Sequence, residues 1–229
     1  MLTKKKKISK KEIKEDRLVT TYYKTVDYFN QHKNKIYLYG GIVLVLFAAI
    51  YWYVDHKAKN NEAASTELGK ILASYEKGAY QEAINGKPAE KIPGLKQIVD
   101  EYGSTETGEA AKIFLANSYS MMGKTEDAFK YYDDYSGDNK IFKATSLAGK
   151  ASYYESKNDF QKAADLFLEA AHSSEENALN AEYLLKAGID FIEAGQKDKA
   201  KETLKSLKEE YKTSTAVREV DRYLALVKE

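Results

Sequence analysis

The chain has 229 residues, 36 Lys and Arg against 35 Asp and Glu, and no cysteine. The last fact leaves no thiol nucleophile and no disulfide, and it fits an oxidising compartment without requiring one. The net charge of +1 conceals a division: residues 1–35 hold eleven Lys and Arg against four acids, and residues 55–229 hold twenty-five against thirty-one.

Met1–Asp16 (MLTKKKKISKKEIKED) is lysine-rich and polar, and is expected to be disordered alone. Beside a membrane span such a run sets topology. Attraction to anionic lipid, about 1 kcal/mol per Lys, and contact with ribosomal RNA are its other readings. In Arg17–Asn34 the residues Leu18, Tyr22, Val26 and Phe29 recur at helical spacing, with Val19 and Tyr23 alongside. This predicts a short amphipathic helix that lies on the cytoplasmic surface before the chain turns into the bilayer, or docks on a membrane partner.

Ile36–Val54 (IYLYGGIVLVLFAAIYWYV) carries no charge. At about 1.5 Å per residue it spans roughly 28 Å, close to the hydrocarbon thickness of a bilayer. Its ten Ile, Leu, Val and Phe side chains favour insertion by roughly 3–6 kcal/mol together. Tyr37 and Tyr39 at one end and Tyr51, Trp52 and Tyr53 at the other are placed as headgroup-level anchors. The basic flank predicts a cytoplasmic N-terminus and a translocated C-terminal domain. With no small-x-small site after the run, the segment reads as an uncleaved signal-anchor. The expected domains are a tail (1–35), a transmembrane helix (36–54) and a domain beyond the membrane (55–229).

Asp55–Gly78 continues as a polar helix whose apolar stripe is Leu68, Ile71, Leu72 and Tyr75. Asn85–Gly94 holds both prolines, Pro88 and Pro93, and two glycines, which predicts a loop. Leu95–Tyr102 resumes a helix that Gly103-Ser104-Thr105 ends. Three segments then align on their central turns: Lys112–Tyr135, Leu147–Ala170 and Leu184–Leu207. Their turn residues are Gly123, Asn158 and Gly195. Ala116, Ala151 and Gly188 share one position, Tyr119, Tyr154 and Phe191 the next, then Ala128, Ala163 and Ala200, then Tyr132, Phe167 and Leu204. Small residues let two antiparallel helices approach closely, aromatics fill the wedge between them, and Gly or Asn reaches the left-handed turn conformation. One such hairpin cannot bury its own apolar face, so neighbours must stack.

The pattern resembles the tetratricopeptide repeat. Lys112 departs from it by replacing the usual first aromatic, and no proline ends a repeat. Ser74–Ala83 reads as a degenerate first repeat and Thr215–Glu229 as a capping helix. The expected fold is therefore all-α: one N-terminal transmembrane helix and an α-solenoid of three clear repeats, a degenerate first repeat and a C-terminal cap.

Motifs of chemistry fail on context. Ser118–Thr125 (SYSMMGKT) approaches a phosphate-binding loop, but it lacks the first glycine and lies on a helix and its turn rather than after a strand. His32, His56 and His172 fall in three separate regions with no metal-ligand spacing, and the paired acids Asp133-Asp134 and Glu175-Glu176 read as solvated faces. Neither a catalytic site nor a metal or other cofactor is expected.

In tetratricopeptide domains the first helix of each pair lines a groove for peptides or protein segments. By that resemblance the groove is Ile113, Asn117, Ser120 and Met121 in the first clear repeat, Ala148, Ser152 and Glu155 in the second, and Leu185, Ile189 and Ile192 in the third. Ile189 and Ile192 have a second reading, as cover against the capping helix. The cationic clamp that some members use for C-terminal carboxylates is absent, with Ile113 at its lysine position and Glu182 where another cation is expected.

The whole layout resembles the ancillary SecYEG translocon subunit (YfgM-like) family, and GLKQIVDEYGSTETGEAAKIFLANSYSMMGKTEDAFKYY resembles its Bacteroidetes-type versions. That resemblance implies a single-pass bacterial inner-membrane protein with its repeats in the periplasm. Its partners would be SecYEG, a PpiD-like membrane-anchored chaperone and newly translocated chains, with no nucleic acid and no catalytic role. A scaffold for another envelope assembly or secretion machine shares every one of these features.

Overall fold

The computed structural model describes residues 10–227, with side chains from Arg17 onward. They form two units, residues 1–56 and 57–229. Of the lysine-rich tail, residues 1–9 lie outside the described residues, while 10–16 are helical rather than disordered.

Helix α1 runs Lys10–Glu76. Within the first unit it corrects one expectation, because no turn separates the amphipathic Arg17–Asn34 segment from Ile36–Val54. The physical reason is local. No proline or cap signal falls between the two, and Gly40 with Gly41 costs a helix only about 1 kcal/mol each relative to alanine. Between Arg17 and Glu76 α1 is long and apolar enough to cross a membrane, and none of its apolar window is buried within the chain. Tyr37, Tyr39, Tyr51, Trp52 and Tyr53 are all exposed, and the Trp52 ring stacks on His56 with centroids 5.4 Å apart.

The second unit is a row of helical hairpins. The end of α1 turns at Gly78 into α2 (Tyr80–Asn85). A ribbon follows, β1 (Gly86–Lys87) antiparallel to β2 (Ile92–Pro93), with Gly86 opposite Pro93. The expected loop at 85–94 is therefore a small hairpin, and a 3-10 turn at Pro88–Glu90 forms its tip. Then come α3 (Leu95–Tyr102), α4 (Glu106–Met121) and α5 (Thr125–Asp133), α6 (Lys140–Ser156) and α7 (Phe160–His172), and α8 (Asn180–Glu193) and α9 (Lys197–Glu210). Helix α10 (Val217–Leu226) closes the row.

The four hairpin turns share one construction. Gly78, Gly123, Asn158 and Gly195 all have positive φ, between 59° and 74°. The residue after each donates its N–H to the carbonyl five residues back: Ala79 to Ser74, Lys124 to Tyr119, Asp159 to Tyr154 and Gln196 to Phe191. This is the hydrogen bond that ties off a helix end through a left-handed residue. The first hairpin therefore belongs to the series.

Packing follows the repeat pattern. Ala128, Ala163 and Ala200 are buried against Ala116, Ala151 and Gly188 across each hairpin, and Tyr132, Phe167 and Leu204 fill the space beside them. A Cβ on Gly188 would meet Leu204 Cδ2 at 2.5 Å, so this hairpin closes only around a bare backbone. Val220, Ala216 and Val227 join the core formed by α6 to α9, which caps the row as expected. Burial of this continuous core, at about 25 cal/mol per Å² of apolar surface, is what holds successive hairpins together.

Candidate protein-binding surface

The first helices of the hairpins, α4, α6 and α8, supply the ten residues expected to line a groove. The structure sorts them into three groups. Ser120, Met121 and Ser152 are exposed, with Met121 at 65%. Asn117, Glu155, Leu185, Ile189 and Ile192 are half-buried, and Leu185 and Ile192 pack against the α6–α10 core. Ile113 and Ala148 are buried, at 1% and 8% exposure, and offer no binding surface. Both occupy the same repeat position. Ile113 belongs to a core cluster with Ala116, Ala128 and Tyr132 and with Phe142 of the next repeat, and Ala148 to the α6–α9 core. Stacking of one repeat on the next covers this position, a fact about neighbours that a single helix does not reveal. The pairing of Ile192 with the capped end agrees with its second reading.

Polar ties run between repeats along this side. The Tyr75 hydroxyl of the first hairpin lies 3.3 Å from Asn117 Nδ2, which donates to it, and Asn117 Oδ1 accepts from the Tyr132 hydroxyl at 2.6 Å. Burial pushes the Tyr132 phenol well above its ordinary value, so it remains a donor. Lys186 of α8 pairs with Glu155 of α6 at 3.3 Å and lies over the Phe167 ring at 4.8 Å. Beside them Asp190 is buried at 2% exposure, and its Oδ2 has no hydrogen-bond partner. Burial first, and then the nearby charge of Glu155, pushes its carboxyl up to about 7, while Lys186 opposes the shift.

A second polar cluster replaces the missing aromatic at Lys112. Its ammonium has three donors, and three acceptors meet them: Glu109 Oε1 at 2.9 Å, Asp134 Oδ2 at 2.9 Å and the Asp134 carbonyl at 3.0 Å. Glu109 in turn accepts from the Ser136 N–H and hydroxyl at 2.8 and 2.9 Å. Lys112 and Glu109 are both buried. Burial pulls the Lys112 ammonium down, but its bonds to Asp134 and Glu109 outweigh that and hold it above its ordinary value. This cluster joins α4 to the end of α5 and lines one side of an open cleft of about 940 Å³ that Phe129, Lys130 and Tyr131 also border. Asp133 and Asp134 point to different partners, Lys150 and Lys112, so neither is merely a solvated acid. The sequence signal was present: a lysine at an aromatic core position with a glutamate three residues before it.

Ser118–Thr125 lies on the last turn of α4, the Gly123 turn and the start of α5, which is the geometry of a repeat and not of a phosphate cradle. Among the described residues no group of three or more His, Cys, Asp or Glu is placed to hold a metal ion.

Residues 182–214, which span the α8–α9 hairpin, match the model of the tetratricopeptide repeat family. In structure the chain is similar to two crystal forms of a Podosopora anserina protein described as a kinesin light chain with nearly identical TPR-like repeats. Their TM-scores are 0.54 and 0.52, each at 16% identity, covering 73% of this chain and 85% and 86% of theirs. At that identity the likeness is one of fold. No curated protein matches the chain. The second unit is thus a solenoid of tetratricopeptide type, an architecture that serves as a protein–protein interaction scaffold and takes proteins as partners.

Proposed function

We propose that the chain is a membrane-anchored, non-catalytic scaffold that binds other proteins on the outer face of a bacterial inner membrane. It acts there beside SecYEG and a PpiD-like chaperone and helps newly translocated chains onward. The observation that carries this reading is the order of parts: a charge-free apolar helix segment between a basic flank and an acidic unit of stacked hairpins. The span, with Tyr37, Tyr39, Tyr51, Trp52 and Tyr53 at its ends, is the anchor, and the excess of Lys and Arg before it keeps the N-terminus cytoplasmic. Ser120, Met121 and Ser152 are the accessible part of the binding face, flanked by Asn117, Glu155 and Ile189. Their mixture of small polar and apolar groups suits an extended segment recognised by shape and backbone contacts.

In-cell crosslinking followed by purification in mild detergent tests the partner. Enrichment of translocon and chaperone components is the expected result. A set of captured proteins lacking both overturns the translocon role, and recovery of another envelope machine in their place assigns the scaffold to that machine. Protease protection in spheroplasts tests the topology: residues 57–229 should be cleaved from outside and the N-terminus should not.

A further inference from the structure

The part of α1 in the first unit carries a pattern that neither a lipid anchor nor a repeat domain requires. From Val19 to Val54 the residues spaced alternately by three and four form one seam. Before the span it holds Val19, Tyr22, Val26, Phe29, Lys33 and Ile36. Within the span the same register continues through Gly40 to Val54. This is a heptad seam, with first and fourth positions apolar.

Charge placement marks the same face. Between Val19 and Val54 only Lys24, Asp27, Lys33 and Lys35 are charged. Lys24, Asp27 and Lys35 fall on the outer positions of the heptad, and Lys33 alone lies in the seam. The positions that flank the seam, such as Tyr23, Thr25, Asn30 and His32, hold no Lys, Arg, Asp or Glu, so two parallel copies would bring no like charges together along it. A lone lysine in a seam is a known device for fixing register and number of strands. The seam side chains before the span are exposed, Val19 at 52% and Tyr22 at 65%. Two aromatics per helix bury about 150–250 Å² each, so a pair of helices gains roughly 600–1,000 Å² from Tyr22 and Phe29 alone. Val19, Val26, Ile36 and the span extend that toward the roughly 1,200–2,000 Å² of a specific interface.

A membrane surface fits this face less well. A helix lying on lipid must turn before it enters the bilayer, and α1 does not turn between Asn34 and Ile36. On a straight helix a strict seven-residue repeat drifts about 20° per heptad, and supercoiling around a partner of the same period removes the drift. Inside the span, where apolar side chains gain nothing by leaving lipid, Gly40 in the seam allows close backbone approach.

We infer that a second copy of this chain packs in parallel and in register along Val19–Val54, making the protein a dimer through α1. The inference uses the membrane-anchor reading for the part within the span, but the pairing before it stands in water. The absence of cysteine makes the test clean. In the full-length chain in native membranes, Val26→Cys and Phe29→Cys should form disulfide-linked dimers on mild oxidation, several-fold more than Lys24→Cys and Gln31→Cys on the outer face. Like-to-like crosslinks at both seam positions require parallel, in-register helices. Equal yields on both faces, or no dimer at either seam position, overturn the inference. Light scattering of the detergent-extracted chain is the second readout: Phe29→Asp should halve the protein mass, and an unchanged mass counts against the seam. Alkaline extraction reports the anchor separately, since a soluble chain that still crosslinks at Val26 loses the anchor and keeps the dimer.

Discussion

Asp190→Asn separates buried charge from shape, because the two side chains are nearly isosteric and only one titrates. Asp190 is buried on α8 beside Glu155 and Lys186, with one carboxylate oxygen lacking a hydrogen-bond partner. Its carboxyl titrates near 7, raised first by burial and then by Glu155. In an unfolded chain an aspartate titrates near 3.9. Between those values the folded chain holds a proton that the unfolded chain has released, so stability falls as pH rises and levels off above about 7. At 1.36 kcal/mol per unit, the loss between pH 5 and 7 is about 2.7 kcal/mol. The asparagine variant lacks this slope. Thermal melts of both chains at pH 5, 6, 7 and 8, followed by far-UV circular dichroism, measure the difference, and pH effects common to both cancel. With about 2–4 °C per kcal/mol for a domain of this size, the variant should gain roughly 5–11 °C on the wild type between pH 5 and 8. Parallel curves would refute the assignment of a buried, unpaired carboxylate at this position.

Lys112→Met leaves Glu109 buried beside Ser136 without its cation and should cost about 3–5 kcal/mol. Glu109→Gln combined with Lys112→Met should recover more than 1 kcal/mol of that in urea melts, and additive losses would count against the ion cluster. Because Lys112 is held above its ordinary value, the cluster's contribution should persist at neutral pH and fade only in strongly alkaline solution. Gly149→Ala brings a Cβ onto the Tyr132 ring. Overpacking of about 1–3 kcal/mol should outweigh the gain in helix propensity and lower the urea midpoint. Asn158→Val, at a φ of 59°, should destabilise by about 1–3 kcal/mol on the same assay. Met121→Glu with Ser152→Arg should reduce partner capture while leaving the melting temperature within a degree or two, since both residues are exposed. Capture at the wild-type level would move the binding face elsewhere.

What could be read from the sequence was local in origin. A helix-ending residue must reach positive φ wherever it stands, so Gly123, Asn158 and Gly195 stand out without a structure. The crossing alanines and the aromatics after them answer to one hairpin and were equally legible. Ile113 and Ala148 were misplaced in the groove because their burial depends on the next repeat and on the angle at which it stacks. The ribbon at 86–93 escaped notice because two-residue strands leave no alternation to read. Asp190 looked like one acid among many, since only three-dimensional packing removes it from water. The missing bend in α1 has a different cause. Amphipathic and uniformly apolar stretches were read as two helices, but a change of composition does not break a helix; a cap or a proline does.

The polar ties along the first helices constrain how a partner can be held. Lys186 is engaged by Glu155 and Phe167, and Asn117 by Tyr75 and Tyr132, so these groups link neighbouring repeats before any ligand arrives. A ligand needing those hydrogen bonds must first break inter-repeat contacts, which sets their stabilisation against its own affinity. The residues left without such duties, Ser120, Met121 and Ser152, bear no charge. Glu182 is exposed at the start of α8 and Ile113 is buried, so the two positions that would grip a terminal carboxylate offer an acid and nothing. Binding on this face therefore favours the middle of a chain over its C-terminal end. A peptide from a client segment should bind equally with its C-terminus free or amidated, and a marked preference for the free carboxylate would contradict the assignment of this face.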